Sequence, residues 1–151
     1  MIVRSVRPAD LPAIWKIEKE SHPFPWSEKA LKDSMNGQIF NCLEKQGNII
    51  GFYILAQVLD ELEILNIAVS PSLQGKGLGT LLMKDIRSLA TRREVNTIFL
   101  EVRSSNLKAI SLYKRAGFES IGIRKQYYRS DNGREDAIMM KLLLEQKAEN
   151  F

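Results

Sequence analysis

Apolar and polar positions alternate or recur along this chain with two periods, and the changes between them mark its elements. Ile2–Val6 reads as a short strand. Leu11, Ile14, Trp15 and Glu18 follow at helical spacing, with Asp10 placed to cap that helix and Pro12 in its first turn. The prolines of His22-Pro23-Phe24-Pro25-Trp26 cannot continue it. Ser27 is a second candidate cap, Glu28 suits the positive end of the helix it opens, and Gly37 is placed to end that helix. Ile39–Glu44 and Ile49–Val58 are β-rich and flank Gln46-Gly47-Asn48, a hairpin signal. Asp60-Glu61 reads as another tight turn, leading into a strand over Leu62–Val69. The first half is therefore a helical insert followed by an antiparallel meander.

In the second half, Leu78, Leu81, Leu82, Ile86, Leu89 and Ala90 recur at helical spacing up to Arg92-Arg93. Thr97–Val102 is the next strand, and strand, helix, strand in this order implies a parallel pair with a right-handed crossover. Ser104-Ser105-Asn106 is a capping cluster for a helix carrying Ala109, Ile110, Leu112 and Tyr113, with Gly117 as its C-terminal stop. Phe118–Arg124 and Asp136–Leu144 read as final strands, with Tyr127, Tyr128 and Asn132-Gly133 in a polar loop between them. The expected organisation is one mixed α/β domain over 1–145 and a charged tail over 146–151.

Composition adds bounds. Apolar residues make up 44% and charged residues 26% of 151, ordinary values for a globular domain with a real core. No apolar run approaches the roughly 18 residues that cross a bilayer. The start, Met1-Ile2-Val3-Arg4-Ser5, has no signal-peptide pattern, so a cytoplasmic location is expected. The lone Cys42 fits a reducing compartment, and with His22 the sole histidine a structural zinc site is not expected; both are read as structural residues. The net charge of +4 suits an anionic cofactor or a ribonucleoprotein neighbourhood, but basic solvated surfaces are common.

The chemistry gathers between Ile64 and Leu82. An apolar strand ends at Val69, Ser70-Pro71-Ser72-Leu73 turns, and Gln74-Gly75-Lys76-Gly77-Leu78-Gly79-Thr80 opens a helix. A helix opening on glycines leaves its first N–H groups without helical acceptors, and these, the helix dipole and Lys76 favour an anion such as a pyrophosphate. Glycine at 75, 77 and 79 permits sharp bends and close approach. A triphosphate loop would need a lysine–hydroxyl pair after its last glycine, and Thr80-Leu81 stands there instead. A dinucleotide loop has different glycine spacing and a different place in the chain.

The remaining pattern, Gln74, Gly77 and Gly79 after an apolar strand, resembles the loop of the GCN5-related N-acetyltransferase (GNAT) superfamily. Phe24-Pro25-Trp26-Ser27, Asn66-Ile67-Ala68-Val69, Leu100 to Asn106, Ala109 to Phe118, Arg124 to Tyr128 and Gly133 to Ala137 extend the resemblance over nearly the whole chain. These segments are most similar to the bacterial branch that acetylates the N-terminal alanine of a small-subunit ribosomal protein. The resemblance implies the acyl-CoA N-acyltransferase fold, a mixed sheet of about seven strands with helices on both faces. It implies acetyl-CoA as co-substrate, bound where the central parallel strands separate, no metal, and direct transfer in a ternary complex. The expected partner is a ribosomal protein N-terminus, met by a monomer that needs neither a membrane nor direct nucleic-acid contact.

Residue by residue, the resemblance makes Glu101 the general base and Tyr113 the general acid. An outward-facing strand glutamate explains Glu101 equally well from alternation alone, and ring packing explains Tyr113. Glu63 on the neighbouring strand is a reserve base, with a surface role the simpler reading. Ile67, Ala68 and Val69 are implied to offer backbone groups to the pantetheine arm. Gly75, Lys76, Gly77, Leu78, Gly79 and Thr80 are implied to hold the pyrophosphate, and Asn106 to contact the coenzyme while also capping its helix. The family often carries a basic residue where this chain has Gly75, so phosphate binding here falls to backbone donors and Lys76. Trp26, Tyr127 and Tyr128 suit either a substrate groove or core packing. Acetylation of lysine or small amines, and a non-catalytic coenzyme-A-binding or ribosome-binding module, are the competing functions.

Overall fold

The computed structural model describes residues 1–145; the charged tail expected over 146–151 lies outside them. Seven strands form one mixed sheet in the order β1-β2-β3-β4-β5-β7-β6, with flanking helices. The residues group into two compact units, one of Met1–Ala56 with Ile64–Ile86, the other of Gln57–Glu63 with the chain from Arg87 onward.

In the first unit, β1 (Ile2–Ser5), β2 (Ile39–Lys45) and β3 (Asn48–Val58) are antiparallel neighbours. The β2–β3 turn is two residues long, with Lys45 opposite Asn48. Gln46 and Gly47 both take positive φ, +51° and +80°, as the favoured two-residue hairpin turn demands. Helix α1 (Leu11–Ser21) buries Leu11, Ile14, Ile17 and Glu18. Asp10 does not cap it as the sequence suggested. Its carboxylate instead accepts two bonds from the Arg4 guanidinium at 2.8 and 2.9 Å and one from the Arg7 N–H at 2.7 Å. The Arg4 hydrogen bonds hold that carboxyl down at about 2. Ser27 does cap α2 (Glu28–Asp33), accepting from the Ala30 N–H at 3.0 Å. That helix stops before Gly37, which serves the following turn at φ +89°. Strand β4 (Glu61–Val69) leads through a 3-10 turn, Pro71–Leu73, to α3 (Leu78–Arg92). Buried Tyr53 donates to Asp85 at 2.6 Å and so fastens α3 to β3.

In the second unit, β5 (Thr97–Arg103) alternates cleanly, burying Ile98, Leu100 and Val102. Helix α4 (Leu107–Arg115) is capped by Asn106, which accepts from the Ala109 N–H at 3.2 Å. It ends with Gly117 at φ +102°, the Gly117 N–H reaching Lys114 and the Phe118 N–H reaching Tyr113. Strands β6 (Glu119–Ser130) and β7 (Gly133–Leu143) are longer than the sequence indicated, and Tyr127 and Tyr128 lie in β6 rather than in a loop. A bulge caused the misreading. Arg124 pairs with Ala137 and Tyr128 with Glu135, so three β6 residues face Asp136 alone. Gln126 takes φ +53° there, and its N–H donates to the Asp136 carboxylate at 3.0 Å. Among the described residues no helix is long and apolar enough to cross a membrane.

Gly51 permits the close approach of β3 to the end of β4. A Cβ there would stand 3.0 Å from the Ala68 carbonyl oxygen and 3.3 Å from Leu82 Cδ1. Gly51→Ala is expected to destabilise the fold by about 1–3 kcal/mol, read as a lower urea midpoint at unchanged slope. An unchanged midpoint would show that this approach imposes no constraint.

Candidate active site

The first unit holds a backbone cradle. Leu81 is the first residue of α3 whose N–H meets a helical carbonyl, that of Gly77 at 3.0 Å. The N–H groups of Leu78, Gly79 and Thr80 are thereby left without helical acceptors. Gly75 and Gly77 take φ +79° and +81°, and a Cβ on either would meet nothing within 4 Å, so open space adjoins both. Gly79, which the sequence grouped with them, lies inside the first turn of α3. Lys76 is exposed and makes no ion pair among the described residues, while the Leu78 side chain is buried. Gln74 donates through Nε2 to the Val69 carbonyl at 3.3 Å, and Ser21 Oγ donates to the same oxygen at 3.2 Å. That carbonyl has both lone pairs engaged. Ala68 and Val69 are buried and Ile67 half-buried.

The second unit holds a cluster of carboxylates, guanidinium groups and phenols. Glu101 is on the face of β5 opposite Leu100 and Val102, half-buried, and its Oε1 is 3.2 Å from Arg124 Nε. The Arg124 guanidinium also lies over the Tyr127 ring at 5.3 Å. Tyr127 and Tyr128 meet edge to face at 5.0 Å, and Arg103 lies over the Tyr128 ring at 4.5 Å. Arg103 also donates to the Glu135 carboxylate at 2.9 Å, which accepts the Ser105 N–H at 3.2 Å as well. The Ser105 side chain first, then Arg103 and the Ser105 N–H, hold the Glu135 carboxyl below its usual range against the opposing effect of burial. Burial, then the Glu101 carboxylate, push the Tyr128 phenol up to about 12. Tyr113, 6% exposed on α4, packs its ring against Phe118 at 5.9 Å. Burial first, then the Tyr128 phenol, hold its hydroxyl far above the ordinary tyrosine range. Tyr128 thus feels both Glu101 and Tyr113. Asn106 is exposed and uses its Oδ1 as the α4 cap, leaving its amide N–H₂ for a ligand. Glu63 is exposed on β4.

Residues 11–118 match the acetyltransferase (GNAT) family. The chain belongs to this family. It is 43% identical over 141 residues to the [ribosomal protein bS18]-alanine N-acetyltransferase of Escherichia coli K12, covering 93% of this chain and 95% of that one. The crystal structure of the ribosomal-protein-S18-alanine N-acetyltransferase from Escherichia coli superposes with a TM-score of 0.91 at 40% identity, covering 99% and 97% of the two chains. A GNAT family acetyltransferase from Elizabethkingia anophelis, solved with acetyl-CoA bound, shares the fold with a TM-score of 0.80 at 23% identity, covering 95% and 97%.

Within this GNAT chain, sequence reasoning brought Glu101, Tyr113, Tyr127 and Tyr128 to notice, but not the contacts that join them to Arg103 and Arg124. Those contacts carry no local signal, because the bulge between Arg124 and Tyr128 is bonded to Asp136 on another strand. Glu18, buried outright, is a further omission. The available signal was a charged residue on the stripe of Leu11 and Ile14.

The raised phenols carry a pH consequence. A buried tyrosine whose folded value exceeds the ordinary 10.0 stabilises the fold fully below that value. The contribution is lost as pH rises through the folded value, because the unfolded chain ionises first. Unfolding free energy is expected to hold level to about pH 9 and to fall above 10, with a shallower fall in Tyr113→Phe. A profile that stays flat through the alkaline range, or an identical fall in the variant, would contradict the burial of this phenol.

Proposed function

We propose that this GNAT acetyltransferase transfers the acetyl group of acetyl-CoA to the N-terminal alanine amine of ribosomal protein bS18. The observation that carries the reading is the likeness, over nearly the whole chain, to a relative named for that reaction. The site geometry supports the chemistry. Acetyl-CoA supplies an acyl group already activated as a thioester. The N–H groups of Leu78, Gly79 and Thr80 that lack helical acceptors, with Gly75, Lys76 and Gly77 beside them, fit its pyrophosphate, since an anion there meets donors, dipole and the open space beside Gly75 and Gly77 together. Ile67, Ala68 and Val69 supply backbone groups for the pantetheine arm, and Asn106 supplies its free amide N–H₂.

Glu101 accepts the proton released as the amine nitrogen attacks, directly or through water. An ammonium reaching it competes with Arg124 for the same carboxylate. Tyr113 donates its proton to the departing thiolate. A phenol held neutral by burial retains that proton throughout the working pH range. An α-amine, with a pKa of roughly 8, presents far more neutral nitrogen near pH 7 than a lysine at roughly 10.4. This chemistry asks for no cysteine, and Cys42 is buried. The working unit in this reading is a cytoplasmic monomer.

Two measurements test it. Acetylation of an alanine-initiated bS18 peptide is expected to exceed that of an internal-lysine peptide; preference for lysine would overturn the assigned acceptor. Glu101→Gln and Tyr113→Phe are each expected to lower kcat by about a hundredfold or more while acetyl-CoA binding persists. Turnover that survives both substitutions would remove these residues from the mechanism.

A further inference from the structure

Strand β5 buries Ile98, Leu100 and Val102 on one face, so Glu101 and Arg103, two positions apart, share the other. Arg103 pairs across the ladder with Ala137, and Tyr128 pairs with Glu135, two positions before Ala137 on β7. Glu101, Arg103, Glu135 and Tyr128 therefore stand on one face of the second unit's sheet. Arg103 donates to Glu135 Oε1 at 2.9 Å and to the Arg129 carbonyl, and its guanidinium lies over the Tyr128 ring at 4.5 Å. The other Glu135 oxygen accepts the Ser105 N–H at 3.2 Å, so the carboxylate that holds Arg103 is itself fixed to the entry of α4.

The strands do not need this pair to stay together, because β5 and β7 are joined by an unbroken ladder from Thr97 to Arg103. The ladder does not fix the Tyr128 ring. Register with β7 is lost between Arg124 and Tyr128, so regular pairing leaves open how the ring emerges from the bulge. Arg103 supplies that constraint, and Tyr127 braces the ring edge to face at 5.0 Å. A planar guanidinium suits the task, since its face stacks on an aromatic ring while its edge bonds a carboxylate. The ring so held ends in a hydroxyl that makes no hydrogen bond among the described residues. That hydroxyl is close enough to Glu101 to feel its charge, and with burial this keeps the phenol a neutral donor.

We propose that Arg103, held by Glu135, is a positioning residue for acetyl transfer: it sets the Tyr128 ring so that the hydroxyl donates a hydrogen bond to the oxygen, of Glu101 or of a water bound to it, that takes the amine proton. A donor at that oxygen orients it before the amine arrives and keeps it aligned as the proton moves. The inference rests on the acetyl-transfer reading with Glu101 as base, and it adds a support for that base built wholly within the second unit.

A double-mutant cycle in the full-length enzyme, with an alanine-initiated peptide, tests it. Tyr128→Phe keeps the ring and removes the hydroxyl. Arg103→Lys keeps a positive charge for Glu135 and removes the flat stacking surface. Each is expected to lower kcat about tenfold, with peptide KM and acetyl-CoA affinity within about twofold of wild type. In the Tyr128→Phe background, Arg103→Lys is expected to lower kcat by less than about twofold further, because the group it positions is gone. Glu135→Gln still offers an acceptor to the Ser105 N–H and should show the same loss and the same dependence on Tyr128. A merely structural Arg103 gives equal losses in both backgrounds, and that additivity overturns the inference. An unchanged kcat in Tyr128→Phe overturns it too, as does a loss confined to peptide KM, which would make Tyr128 an acceptor-binding group. A wild type that acetylates no amine overturns the acetyl-transfer reading, and this inference with it.

Discussion

Burying the Glu18 carboxylate imposes a condition that distant parts of the first unit must meet together. Each oxygen needs donors, and these come from Asn66 on β4, from the Trp26 backbone, and from His22. Removing any one leaves a charge partly unpaired in an apolar setting, a cost that well exceeds that of an ordinary lost hydrogen bond. The same neighbourhood ties Ser21 and Gln74 to the Val69 carbonyl. The end of α1, the end of β4 and the entry to the glycine loop are thus fixed by polar contacts. The loop glycines themselves can then stay open to a ligand, because the chain on either side is anchored.

The second unit solves a different electrostatic problem. Its Tyr113 and Tyr128 phenols are kept neutral by burial, while two of its carboxylates are met by guanidinium groups, Glu101 by Arg124 and Glu135 by Arg103.

Features with local causes were legible in the sequence. The Gln46-Gly47 turn, the Ser27 cap and the Gly117 stop depend on residues a few positions apart, and all three appear where expected. The strand count and the glycine loop follow from periodicity and composition in the same way. Asp10 illustrates the limit, since an acidic residue before a helix is normally a cap, yet a guanidinium on β1 outcompetes the helix for it. Glu18 and Asn66 are 48 residues apart, and no period in either segment announces their meeting. Tyr127 and Tyr128 looked like loop residues because a bulge breaks the alternation by which strands are recognised. In the candidate site, Glu101, Tyr113 and the Arg124-to-Tyr128 segment stood out through motif resemblance, whereas the contacts that join Glu101 to Arg124 and Tyr128 to Arg103 depend on long-range pairing.

The bulge in β6 also bears on solubility. β6 is the last strand of the sheet, and an outermost strand with exposed Ile121, Ile123 and Tyr127 is a template on which another chain could add. A straight ladder would present an unbroken row of N–H and carbonyl groups to such a chain. Three residues crowded opposite Asp136, with Arg124 and Lys125 at the break, interrupt that row and place positive charge on it. The irregularity that aims the aromatic side chains therefore also guards the sheet's open edge against self-association.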